Sequence, residues 1–73
     1  MTVKKLLKKL ARPVDTINID SEGEFSIVYD GFETEEIPEG ILTLSVKTWE
    51  VRVTIRMVSL GEAEILYLLV IEV

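Results

Sequence analysis

Ala63-Glu64-Ile65-Leu66-Tyr67-Leu68-Leu69-Val70-Ile71-Glu72-Val73 is the stretch whose pattern decides the fold. Successive side chains of a strand point to opposite faces, so Ile65, Tyr67, Leu69, Ile71 and Val73 fall on one side and Leu66, Leu68 and Val70 on the other. A strand at a half-exposed position alternates apolar with polar, whereas one that is apolar on both sides belongs in the middle of a sheet. The pattern therefore predicts a central strand that needs cover on both faces. Its unbroken apolar run, Ile65 to Ile71, is far shorter than the roughly 20 residues a membrane-spanning helix requires.

Working back from this strand, Ser59-Leu60-Gly61-Glu62 reads as a turn. Before it, Trp49, Val51, Val53, Ile55 and Met57 alternate as a strand. Leu44 and Val46 keep the opposite phase, which predicts a bulge or bend near Lys47 and Thr48. Pro38 suits the first position of a single helical turn running to Leu42. Val14 to Asp20 and Phe25 to Asp30 form a further pair of strands around Ser21-Glu22-Gly23-Glu24. At the start, Thr2 is a predicted N-cap, with Val3, Leu6, Leu7, Leu10 and Ala11 at helical spacing and Pro13 as terminator. The expectation is one domain over residues 1–73, of α+β class. An N-terminal helix packs on an antiparallel sheet of about four strands, built from two hairpins.

That helix covers one face of the sheet. Leu66, Leu68 and Val70 mark the other, with Val28, Leu44 and Val46 as possible extensions, and no further element is large enough to cover it. Self-association through this face, as a homodimer packed sheet to sheet, is the expected solution. The alternative is that Gly31 to Leu42 folds back over it.

Composition narrows the chemistry. Seventy-three residues allow one small core. There is no cysteine and no histidine, which removes disulfides, thiolate metal sites and the commonest neutral-pH general base. Hydroxyl side chains have no histidine base to activate them, and no phosphate loop is present. Glu35 and Glu36, adjacent on an irregular stretch, do not face a common substrate as an acid–base pair would. No catalytic residue, cofactor or metal is expected. Trp49 and Tyr67 read as opposed core aromatics rather than a ligand platform.

The net charge of −5 is unevenly spread. Lys4, Lys5, Lys8, Lys9 and Arg12 make the first segment basic, whereas residues 13–46 carry acids and, up to Val46, no base. The lysines suit a solvated helix face, with phosphate binding as the sharper alternative. Glu33, Glu35, Glu36 and Glu39 form a candidate partner-facing acidic segment, which could imitate a nucleic-acid backbone. A calcium site is disfavoured because Asp20 to Glu24 lacks EF-hand ligand spacing. The basic start lacks the apolar core and cleavage site of a signal peptide, so a cytoplasmic protein is expected, with no membrane partner.

Three segments also carry a resemblance. Thr2-Val3-Lys4-Lys5-Leu6-Leu7, Glu36-Ile37-Pro38-Glu39-Gly40-Ile41-Leu42 and the apolar end Leu69 to Val73 together resemble small uncharacterised proteins of prophages and other mobile elements in Gram-positive bacteria. Those proteins open on a V-K-x-L-L helix, carry an I-P-x-x-x-L segment and finish on an apolar strand. Gly40 departs from the stronger helix formers usual after the I-P pair. The resemblance brings no catalytic or ligand residues. It carries over no function; the residues themselves favour a small non-enzymatic protein-interaction module of prophage or mobile-element type, working as a homo-oligomer or with another protein. The alternative is a nucleic-acid-associated accessory protein that uses the lysine face.

Overall fold

A computed structural model describes residues 1–10, 14–30 and 36–73. Along the chain these form α1 (Val3–Lys9), β1 (Thr16–Ser21), β2 (Phe25–Asp30), α2 (Glu39–Leu42), β3 (Thr48–Ser59) and β4 (Glu62–Glu72). The strands make one sheet in the order β2-β1-β4-β3, so β4 is internal, as its two apolar faces predict.

The fold is a small α+β one, but the sheet is mixed rather than antiparallel. β1 pairs antiparallel with β2 and β3 antiparallel with β4, while β1 and β4 run parallel, Thr16 beside Leu68 through Asp20 beside Glu72. The expected antiparallel sheet of two hairpins is corrected on this point. A parallel pair needs a long crossover, and here β2, α2 and β3 together supply it. Asp15 seals one end of this pair: its backbone N–H donates to the Tyr67 carbonyl at 2.9 Å. Its carboxylate accepts the Tyr67 N–H at 2.7 Å.

Helix α1 forms where the leucine spacing and the Thr2 cap agree. The Thr2 hydroxyl accepts the Lys5 N–H at 3.3 Å, satisfying one of the open donors of the first turn. Lys8 and Lys9 occupy the last turn, where cations suit the helix dipole. The helix stops at Leu10, which is extended; the expected end at Pro13 lies outside the described residues.

Leu44 to Val46 is not a kinked beginning of β3. Val3 N–H donates to the Leu44 carbonyl at 3.0 Å and Val46 N–H to the Met1 carbonyl at 2.8 Å, while Lys47 N–H reaches Glu72 at 2.8 Å. The phase change read as a bulge or bend is a bend at Lys47, where the chain changes partner from the N-terminus to β4. The ladder irregularity lies at the other end of β3, where Val58 is the extra residue between the Met57–Ala63 and Ser59–Glu62 pairs.

One apolar cluster lies between the helices and the sheet. Val3, Leu6 and Leu7 of α1 meet Ile17, Ile19, Leu69 and Ile71 of β1 and β4, with Ile37 and Leu42 from the α2 region. Leu44 and Val46 pack against this same cluster, so they do not extend the opposite face. The described part of the segment thought able to cover that face, Glu36 to Leu42, likewise sends its buried side chains to the helix side.

Candidate functional site

Helix and strand lengths create the most distinctive surface. The seven residues of α1 rise about 10 Å, whereas the twelve of β3 run about 40 Å. β1 accompanies β4 only from Leu68 to Glu72. Beyond Leu68, β3 and β4 continue as a two-stranded arm, closed by a turn in which Gly61 takes φ 84°, a conformation that favours glycine. The longest dimension of the molecule is 42 Å.

Residue pairing places Trp49 opposite Ile71, Val51 opposite Leu69, Val53 opposite Tyr67, Ile55 opposite Ile65 and Met57 opposite Ala63. All share the helix side of the sheet with the core. The helix side chains reach β1 and β4 but leave β3 open: Trp49 is 48% exposed, Val53 61%, Ile55 68% and Met57 66%. An apolar strip thus leaves the core and runs to the tip of the arm. The alternation of these residues was read from the sequence, with Trp49 taken as a core aromatic, but their exposure was not. Trp49 and Tyr67 are not opposed, since each pairs with an aliphatic residue, and Trp49 is not a core aromatic.

The expected self-association residues lie on the other side. Leu68 sits between Thr16 and Arg52, Val70 between Asn18 and Glu50, and Leu66 opposite Thr54. All three are half-buried. They form an apolar line one strand wide, with polar residues on both flanks of Leu68 and Val70 and on the β3 flank of Leu66. Only Val28 joins it from β2, exposed and beside Asn18.

On this side a shallow hollow of about 600 Å³ is lined in part by Asp20, Glu22, Glu50, Glu72, Thr48 and Arg52. Its carboxylates are largely engaged within the chain. Asp20 accepts from the Ser26 hydroxyl, and Glu72 accepts from the Thr48 hydroxyl at 3.2 Å. Glu50 takes the Arg52 guanidinium at 2.9 and 2.5 Å. Among the described residues no group of three or more Asp, Glu, His or Cys is placed to hold a metal ion.

Of the acidic segment, Glu33 and Glu35 lie outside the described residues. Glu36 is exposed, and Glu39 opens α2 and lies 3.6 Å from the Lys4 ammonium. Lys5, Lys8 and Lys9 are exposed on the outer side of α1. Among the described residues no helix is long and apolar enough to cross a membrane. No family model matches the sequence, and comparisons with curated proteins and with solved structures also return no match.

Proposed function

We propose that the chain is a non-enzymatic protein-interaction module that works as a homo-oligomer, of the prophage or mobile-element type its motifs resemble, with the β3–β4 arm as its contact surface. The supporting observation is the strip Trp49, Val51, Val53, Ile55 and Met57, exposed yet continuous with the core. Leaving one large aliphatic side chain in water forgoes about 1.5–3 kcal/mol relative to burying it. Monomers rarely carry a contiguous apolar strip of this kind. The polar flanks of Leu66, Leu68 and Val70 make the opposite face the weaker candidate.

Sedimentation equilibrium tests the reading. The parent chain is expected to associate, and Ile55→Lys to remain folded and monomeric, because Ile55 lies outside the helix-covered core. Leu68→Glu, on the opposite face, should leave association intact. A parent that stays monomeric at about 100 μM, where a Kd near 10⁻⁴ M would show, overturns self-association. Loss of association in Leu68→Glu alone would move the contact to the Leu66, Leu68 and Val70 face.

A further inference from the structure

β3 supplies most of the apolar strip and is also the outer strand of the sheet. Among the described residues it pairs with β4 on one side and with no strand on the other. An outer strand exposes a row of backbone donors and acceptors, and native sheets commonly block that row with lysine, proline or a bulge. Thr48 to Met57 contains no lysine or proline, and its one irregularity falls after Met57. The open edge is therefore long and regular, bordered by apolar side chains on the helix side and by Glu50, Arg52 and Arg56 on the other.

We propose that β3 pairs antiparallel with β3 of a second copy, across a two-fold axis through Val53, joining the two sheets edge to edge. The proposal rests on the self-association reading above and specifies its contact. With the axis there, Trp49 faces the partner's Met57, Glu50 the partner's Arg56, Val51 the partner's Ile55 and Arg52 the partner's Thr54. Every apolar residue meets an apolar one, and the acid meets a base.

Other registers fail on charge or on length. An axis at Arg52 sets that guanidinium opposite its own copy, and an axis at Thr54 sets Arg52 opposite the partner's Arg56. Like charges directly opposite are destabilising. An axis at Val51 gives Glu50 an arginine but leaves Ile55 and Met57 facing residues before the start of β3. An axis at Ile55 leaves Glu50 facing the turn. Only Val53 both matches the charges and uses nearly the whole strand.

The same register also supports the arm. A two-stranded ribbon is marginal by itself, and among the described residues the arm beyond Leu68 has only two strands. Pairing through Val53 lays the tip of each arm against the base of the other β3. The row Ala63–Met57 then continues into the partner's Trp49 and Ile71, in the four-stranded part of the sheet. On the polar side, Arg56 already holds Glu64 at 2.6 Å, and Glu50 already holds Arg52. Joining them makes a line of alternating sign across the interface. A second copy is the occupant because β3 complements itself in size, charge and length about a single residue.

The absence of cysteine makes the register directly testable. With a thiol–thiol cross-linker just long enough to join directly opposed residues, about 5.5 Å apart at a hydrogen-bonded pair, Val53→Cys is expected to form a linked dimer. Val51→Cys and Ile55→Cys should each fail alone and yield a mixed dimer when combined. E50R and R56E should each weaken self-association about ten-fold, by placing like charges opposite each other at two sites. An equimolar mixture should regain parental affinity, since the mixed pair restores both opposite-charge contacts. A parent that sediments as a dimer while Val53→Cys does not link, or links no better than Val51→Cys, overturns the edge pairing and leaves self-association standing. A monomeric parent overturns both.

Discussion

Leu69 and Val51 stand directly opposite each other across the β4–β3 ladder, on the same side of the sheet, yet Leu69 is fully buried and Val51 is 43% exposed. One strand spacing, about 4.8 Å, separates the closed core from the open strip. Burial at the first and exposure at the second give substitutions on the two sides of this boundary different consequences.

Leu7→Ala falls inside it. Leu7 is buried between α1 and the sheet, and truncating such a leucine costs about 2–5 kcal/mol. A chain of this size holds about 5 kcal/mol or little more. Thermal denaturation followed by circular dichroism should show the variant substantially unfolded at 37 °C; an unchanged melt would contradict the packing of α1.

The arm beyond Leu68 should be the least protected part of the sheet in dilute solution. Its backbone hydrogen bonds lie in two exposed strands, and such regions open locally at low free-energy cost. Hydrogen exchange should be fast from Val53 to Tyr67 in dilute protein and slow on the β3 side as concentration rises. Protection that is independent of concentration would speak against any contact along β3.

Asp15 offers a test of the parallel pair. Its carboxylate accepts the Tyr67 N–H where β1 and β4 begin to run together. Asp15→Ala should lower stability by about 0.5–1.5 kcal/mol, the net worth of an ordinary hydrogen bond. Asp15→Asn, which keeps an acceptor oxygen, should lose less. Equal losses in urea denaturation would mean that the hydrogen bond contributes nothing.

Changing Lys4, Lys5, Lys8 and Lys9 to glutamine should leave the fold unchanged, because these side chains are exposed and exposed ion pairs such as Lys4–Glu39 are worth little. DNA and RNA affinity at physiological salt should be negligible before and after. Mobility shifts at micromolar parent protein, lost in the variant, would favour the nucleic-acid alternative.

Much of the fold was legible because local patterns carry it. The leucine spacing and the Thr2 cap located α1, the Pro38 turn located α2, and the double-faced pattern of Leu66 to Ile71 placed β4 inside the sheet. The direction of the β1–β4 pair was not legible, because Ile17 and Ile19 alternate in the same way beside a parallel or an antiparallel neighbour. Exposure of the β3 strip left a readable signal in the lengths: the leucine stripe of α1 is too short to cover a strand reaching from Thr48 to Ser59. Leu66, Leu68 and Val70 were correctly placed opposite the helix, but the polar residues beside each of them belong to neighbouring strands whose register no single segment specifies.

The internal position of β4 also governs the order of folding. It follows β1, β2, α2 and β3 in sequence, yet among the described residues β1 and β3 meet only through it. Until β4 has been synthesised, β1 can pair with β2 alone, and β3 has no partner in the sheet. The early elements cannot be completed one at a time as the ribosome delivers them; the core closes in one late, long-range step, of the kind that slows folding. During that interval β3 is an unpaired apolar strand, and nascent chains are most open to joining one another through it.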